Sequence, residues 1–178
     1  VLQGYARIVD PWTVETTLPS GQKSTLSTRS IIVATGAAPF VPDLPGLDES
    51  GYLTSDTMWQ AFSERDTAPK RLVILGGGPI GCELSQSFAR LGSDVTLIEM
   101  APRLLAKEDA EVADFANQCL KSDGVHILTG HRALSCGSDA GQKWIEVEAG
   151  EQTLRVPYDD IIVAVGRPCS EVTLSRKP

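Results

Sequence analysis

The sequence is short of cysteine, of aromatic residues and of long apolar runs, and each shortage excludes something. Cys82, Cys119, Cys136 and Cys169 are the four cysteines in 178 residues. No two are spaced as C-x-x-C, so a short metal or dithiol pair is ruled out. Cys82 and Cys119 fall in helical patterns, and the set reads as small buried hydrophobes in a reducing, cytoplasmic setting. No apolar stretch approaches the roughly 20 residues of a membrane-spanning helix. Aromatics make up 6% of the chain, and 16 Lys and Arg face 23 Asp and Glu, for a net charge of −7. Nucleic-acid binding needs clustered basic side chains, and here they are scattered, so no nucleic-acid partner is expected. His126 and His131 bracket a strand pattern without further ligands. They read as surface or turn residues rather than a metal pair. Trp12, Trp59 and Trp144 read as partial core or domain-packing residues.

What remains is ordinary for a globular chain, with 42% hydrophobic and 22% charged residues. The length suits one domain with room for part of a second. The chain opens in a strand pattern and closes at "SRKP", as expected of a fragment.

Residues 4–34 read as short strands. "GYARIVD" and "WTVET" flank a turn at Asp10-Pro11, "SGQKS" reads as another turn, and "SIIVATG" as an apolar strand stopped by Gly36. "AAPFVPDLPGLDESG" is an irregular connection, and "TSDTMWQAF" a short helix with Thr54 or Ser55 as N-cap. From Lys70 the pattern changes. "RLVILG" is a continuous apolar run, the mark of a buried parallel strand. A helix follows from Pro79, closed by Gly92, then a strand "DVTLIE", a helix closed by Gly124, and a strand "VHILTG". This alternation predicts a doubly wound parallel α/β unit. "RALSC", "KWIEVEA" and "TLRVPY" alternate as an antiparallel meander, and "DIIVAVG" is the last strand. The stretch at 160–170 echoes "SIIVATGAAPF" at 30–40, which by itself is equally consistent with chance.

Gly76, Gly78 and Gly81 form G-x-G-x-x-G directly after a strand and at the start of a helix, the context that gives this motif meaning. Gly76 allows the tight turn, Gly78 lets backbone approach a pyrophosphate, and Gly81 lets helix and strand pack closely. Gly77, Pro79 and Ile80 complete the turn, whose free N–H groups and helix dipole suit phosphate. No Lys-Ser/Thr pair follows, which argues against a nucleoside-triphosphate loop. Glu99 ends the second strand, where a carboxylate accepts the adenosine ribose hydroxyls and repels a 2′-phosphate. NAD(H) is therefore expected over NADP(H). Arg103 and Lys107 lie just beyond, either as solvated loop charges or as cations that weaken that preference. Glu83 reads as lying in the first helical turn, where the dipole alone favours an acid. It is equally a candidate for the nicotinamide side.

The motifs "VATGAAPFVPDLPG", "TSDTMW", "LGGGPIGCELSQSFARLGSDVTLIE" and "IIVAVGRP" resemble, in order and spacing, the pyridine nucleotide-disulfide oxidoreductases. This is the flavoprotein family of dihydrolipoamide dehydrogenase, glutathione reductase and mercuric reductase. The resemblance covers nearly the whole chain. It implies a Rossmann-like doubly wound parallel sheet with an antiparallel β-meander, flanked by strands from an incomplete FAD-binding domain. Residues 1–50 would be the tail of an FAD-binding segment, 51–168 an NAD(P)H-binding domain, and 169–178 the start of the return to the FAD domain. Gly166 would lie beside the coenzyme, Ala133 near adenine, and Thr35, Gly36 and Ala37 at FAD. The implied reaction is hydride transfer from NAD(P)H to flavin, then electron transfer through a redox-active disulfide to a substrate. The intact protein would be a homodimer built through a C-terminal domain, and this chain a monomer or weakly associated, binding NADH without catalysing.

The departures from the family pattern are specific. The chain has no C-x-x-x-x-C dithiol, no His-Glu acid–base pair and no second glycine fingerprint. Pro79 stands where some members carry a tyrosine lid, Ser85 where Ala or Gly is usual, and "GRPCSEV" replaces G-R-x-P-N-T. Two other readings fit the same residues: an NAD(P)H oxidase or ferredoxin-reductase-like flavoprotein, and a non-catalytic NAD-sensing module.

Overall fold

The computed structural model describes residues 1–168; the expected return segment 169–178, with Cys169, lies outside the described residues. The chain divides into two compact units, and the described part of the first is residues 1–38. It is an antiparallel sheet of β1 (Tyr5–Asp10), β2 (Thr13–Thr17) and β3 (Lys23–Ser27). The third strand lies partly in the stretch read as a turn, because its polar, mostly exposed residues carry no apolar alternation. Conversely, "SIIVATG" forms no strand among the described residues, and an isolated bridge follows it at Ala37. Ile32 is 90% exposed. Trp12 is also exposed, contrary to the core expectation.

The second unit spans 39–168. Its boundary falls twelve residues before the expected 50/51 because 39–50 seat on this unit. Val41, Leu44 and Leu47 join its core, and the Cys136 N–H donates to the Pro45 carbonyl at 2.8 Å. Leu47 begins a one-turn helix, α1 (Leu47–Ser50), inside the stretch read as irregular. A two-residue strand, β4 (Leu53–Thr54), follows. Helix α2 (Met58–Ser63) starts at the Thr57 N-cap, later than expected. Thr54 still holds the turn before it, its Oγ1 accepting the Asp56 and Thr57 N–H groups at 3.3 Å. Trp59 on this helix is exposed rather than packed.

The remaining elements follow the expected alternation. They are β5 (Arg71–Leu75), α3 (Pro79–Arg90), β6 (Asp94–Glu99), α4 (Ala110–Ser122), β7 (His126–Thr129), the meander β8 (Arg132–Asp139), β9 (Gln142–Ala149) and β10 (Gln152–Tyr158), and β11 (Asp160–Val163). The main sheet is wholly parallel, in the order β4-β11-β5-β6-β7.

The central strands read as unbroken apolar runs because both faces are covered. Alternate residues point to opposite faces. Leu72 and Ile74 of β5, Val95 and Leu97 of β6 and Ile162 of β11 pack with Met58, Cys82, Phe88 and Leu120 from the helices. Val73, Leu75, Ile98, Ile161 and Val163 pack with Cys136, Ile145, Val147, Val156 and Tyr158 from the meander. The second unit is thus three layers: helices, parallel sheet, and antiparallel meander.

Candidate functional site

The order of the sheet reverses between β5 and β11, and a crevice opens at the carboxyl ends of these strands, where open α/β sheets bind ligands. The cleft, about 750 Å³, is lined by Gly76, Gly77, Gly78, Pro79 and Ile80, by Glu99, by Ala133 and by Gly166. The structure thus gathers most of the residues singled out in the sequence into one concavity of the second unit.

Each glycine occupies its own steric situation. Gly76 has φ 113°, and a Cβ there would lie 2.5 Å from the Ala164 carbonyl oxygen, so the turn crosses the end of β11 with no side-chain space. A Cβ on Gly81 would lie 1.8 Å from the Gly76 oxygen, so helix α3 starts directly against the turn. Gly78 is the reverse case. It is the N-cap of α3 in extended backbone, and nothing lies within 4 Å of where its Cβ would be. Its missing side chain leaves open space on the cleft side, the shape a pyrophosphate requires. The first-turn N–H groups of α3 have no intrahelical acceptor.

Gly77 is enclosed by side chains rather than by backbone. A Cβ there would meet Leu104 Cδ2 at 2.6 Å and Glu99 Cβ at 2.9 Å. Its N–H donates to Glu99 Oε2 at 2.5 Å, and its carbonyl accepts the Leu105 N–H at 2.9 Å. The second Glu99 oxygen, Oε1, accepts the Ala101 N–H at 2.6 Å. Each carboxylate oxygen has a further acceptor position open to a ribose hydroxyl. Cys82 sits behind the loop, its thiol 3.5 Å from the Gly77 carbonyl. Burial, then the negative Glu99 and Glu83, push that thiol up to about 11, which leaves it protonated and unreactive at neutral pH.

Other residues fall elsewhere. Glu83 is the fifth residue of α3, beyond the first turn, which carries no acid. Its side chain is exposed and does not line the cleft. Thr35, Gly36 and Ala37 belong to the first unit. Arg103 is also absent from the lining, because its guanidinium donates to the Ala106 and Glu108 carbonyls at 3.0 and 2.9 Å. Lys107 does line the cleft.

The sequence reading missed Phe40 and Arg167, which also line it. Phe40 donates its N–H to the Gly166 carbonyl at 2.9 Å, which folds the 39–46 connection over the end of β11. Arg167 reaches back to Asp56 at 2.6 Å and Ser55 at 2.8 Å, and its guanidinium holds the Asp56 carboxyl below the usual carboxylate range. The signal for Arg167 was its place directly after Gly166 in "VGRP".

The residues fit a dinucleotide. There is a side-chain-free turn at a helix N-terminus for the phosphates and a carboxylate at the end of the next strand for a ribose. Among the described residues no cluster of His, Cys, Asp and Glu could hold a metal, and no helix is long and apolar enough to cross a membrane.

Comparison with known proteins places the chain among flavoprotein oxidoreductases. Mercuric reductase from Staphylococcus aureus is 33% identical over 177 residues, covering 98% of this chain and 30% of that protein. Dihydrolipoyl dehydrogenase from Thermus scotoductus is 33% identical over 172 residues, covering 94% of this chain and 35% of that protein. Among solved structures, the water-forming NADH oxidase from Lactobacillus brevis, bound to NADH, superposes with a TM-score of 0.67 at 27% identity, covering 92% of this chain and 37% of that one. The chain therefore spans about a third of the length of these relatives. A family profile described as pyridine nucleotide-disulphide oxidoreductase matches residues 1–177, and the chain belongs to that family of oxidoreductases.

Proposed function

We propose that this chain is the NAD(H)-binding central part of an FAD-dependent pyridine nucleotide-disulfide oxidoreductase, and that it presents NADH to a flavin held by the rest of the protein. The observation that carries this reading is the pairing, across one cleft, of the open Gly78 at the N-terminus of α3 with the Glu99 carboxylate at the end of β6. Residues 1–50 then belong to the FAD-binding segment and 51–168 to the coenzyme domain.

When bound, NADH supplies the hydride. The chain's own residues do the holding. Gly76 to Gly81 and the first-turn N–H groups of α3 bind the pyrophosphate, and Glu99 accepts the adenosine ribose. Gly76 crosses the end of β11 and Gly77 lies on Glu99, so the Gly166 end of the cleft takes the nicotinamide and the Glu99 end takes the adenosine. Ala133 lines the adenosine side. Glu99 disfavours a 2′-phosphate, and Lys107 is a cation on the cleft wall that opposes it, Arg103 being committed to loop carbonyls. The flavin and any dithiol lie outside this chain, so the chain alone binds coenzyme without turnover, and the parent protein is the homodimer expected of the family.

A calorimetric titration with NADH and NADPH at fixed salt tests this. The expected result is tighter NADH binding, weakened at least tenfold by Gly78→Val, whose side chain fills the open cradle while the backbone stays allowed. Absence of binding by either coenzyme would overturn the reading, and tighter NADPH would give Lys107 the upper hand over Glu99. The NADH-bound oxidase among the structural neighbours favours a second reading, an NADH oxidase. Oxygen consumption by the intact flavoprotein without a disulfide substrate would select it.

A further inference from the structure

The contacts at Gly77 assign Glu99 a task that comes before any coenzyme arrives. Its two oxygens are both engaged by backbone, Oε2 with the Gly77 N–H at 2.5 Å and Oε1 with the Ala101 N–H at 2.6 Å. The side chain lies flat across Gly77, so that a Cβ there would sit 2.9 Å from Glu99 Cβ and 3.0 Å from Cγ. Leu104, 2% exposed, closes the same spot from the other side. The next residue, Leu105, adopts φ 48°, a left-handed conformation that Leu enters at a cost. From there its N–H reaches the Gly77 carbonyl at 2.9 Å. The Ala101 carbonyl in turn accepts the Gly130 N–H at 2.8 Å, and the Glu99 carbonyl accepts the His131 N–H at 3.0 Å. Three loops, those after β5, β6 and β7, are thus fastened through one residue and its immediate neighbours.

We propose that Glu99 is a positioning residue for the glycine loop as well as a nucleotide contact, and that position 77 is glycine because the Glu99 and Leu104 side chains together occupy the space of a Cβ. Coenzyme preference is then not switchable at Glu99 alone. Removing the carboxylate relieves repulsion of a 2′-phosphate but also unfastens the turn that binds the pyrophosphate common to both coenzymes. The coenzyme half of this inference rests on the dinucleotide reading above; the fastening half does not.

The test is amide hydrogen exchange of the coenzyme-free protein by NMR, read at Gly77 and Ala101, for wild type, Glu99→Gln and Glu99→Ala, with NADH and NADPH titrations alongside. Expected are at least tenfold faster exchange at both amides in Glu99→Ala and at one of them in Glu99→Gln, whose single carbonyl oxygen accepts only on one side. Affinity for NADH falls and affinity for NADPH does not rise. Unchanged protection at both amides in Glu99→Ala overturns the proposal whatever the coenzymes do. If Glu99→Ala does not fold, Glu99→Gln decides alone, and unchanged protection at both amides in it overturns the proposal. If wild type binds neither coenzyme, the dinucleotide reading fails while the exchange result still judges the fastening.

Discussion

At the scale of single residues, helix α3 carries one side chain that works against its own packing. Gly81, Cys82, Ser85 and Phe88 form its buried stripe. Ser85 is fully buried, and its Oγ has no hydrogen-bond partner. Ser87, two residues on and exposed, instead bonds back to the Glu83 carbonyl at 2.8 Å. A buried hydroxyl without a partner costs roughly 1–3 kcal/mol, and Ala has the better helix propensity. Ser85→Ala is therefore expected to stabilise the protein by about 1 kcal/mol or more, seen as a higher urea midpoint at unchanged slope. A lower midpoint would mean that the hydroxyl is paired in solution. The glycine fingerprint was legible at this scale because each glycine answers a local demand written into neighbouring residues. The Gly77–Glu99 fastening was not legible. It joins residues 22 positions apart, and it depends on how β6 registers against β5.

At the scale of elements, the inner strands β5 and β11 are pinned by ion pairs at their starts. Arg71, opening β5, donates its backbone N–H to Asp159 Oδ2 at 2.9 Å and its guanidinium to the same carboxylate. Arg65, just past α2, pairs with Asp160 at 2.6 and 2.9 Å. Together they dock the start of β11 beside β5. The Arg71 hydrogen bonds hold the Asp159 carboxyl below the ordinary carboxylate range. A depressed folded-state pKa contributes stability above the unfolded value, about 3.9, and that stability is lost as pH falls through the folded value. Asp159→Asn should lower the urea midpoint near neutrality and flatten the acid limb, with the two proteins converging once the pH is below the depressed folded-state value. Parallel acid limbs would show that the pair contributes nothing measurable, the usual fate of an exposed pair. The strands and helices from 70 onward were legible because periodicity and helix stops are local. The insertion of β11 between β4 and β5 was not, since nothing in "DIIVAVG" states its neighbours. Strand β4 escaped because two residues carry no period. Strand β3 escaped because a polar strand reads as a loop.

At the scale of the whole molecule, the two units are unequal. The second holds both apolar clusters, whereas in the described part of the first only Thr16 is buried, and Tyr5, Trp12 and Leu26 are exposed. A three-stranded sheet without a covered apolar face is marginal by itself. Limited proteolysis should therefore cut first within residues 28–38 and leave a core near 39–168 that keeps the NADH affinity of the whole chain. First cuts inside the second unit, or a core without affinity, would contradict this partition. The resemblance to a known family made the broad plan legible at this scale. The position of the geometric boundary was not, because the prolines of 39–50 read as a linker while Val41, Leu44 and Leu47 are core.

The insertion of β11 also sets a schedule for the nascent chain. Leu75 is paired with Val163, which a ribosome adds about ninety residues later. At ordinary elongation rates that is on the order of ten seconds during which β5, finished early and apolar on both faces, presents an open edge. The meander that covers one of those faces emerges during the same interval. A strand buried and paired on both sides in the finished sheet is therefore open to mispairing while the chain is being made, and the stage at which a chaperone would be of most use ends with the synthesis of "DIIV".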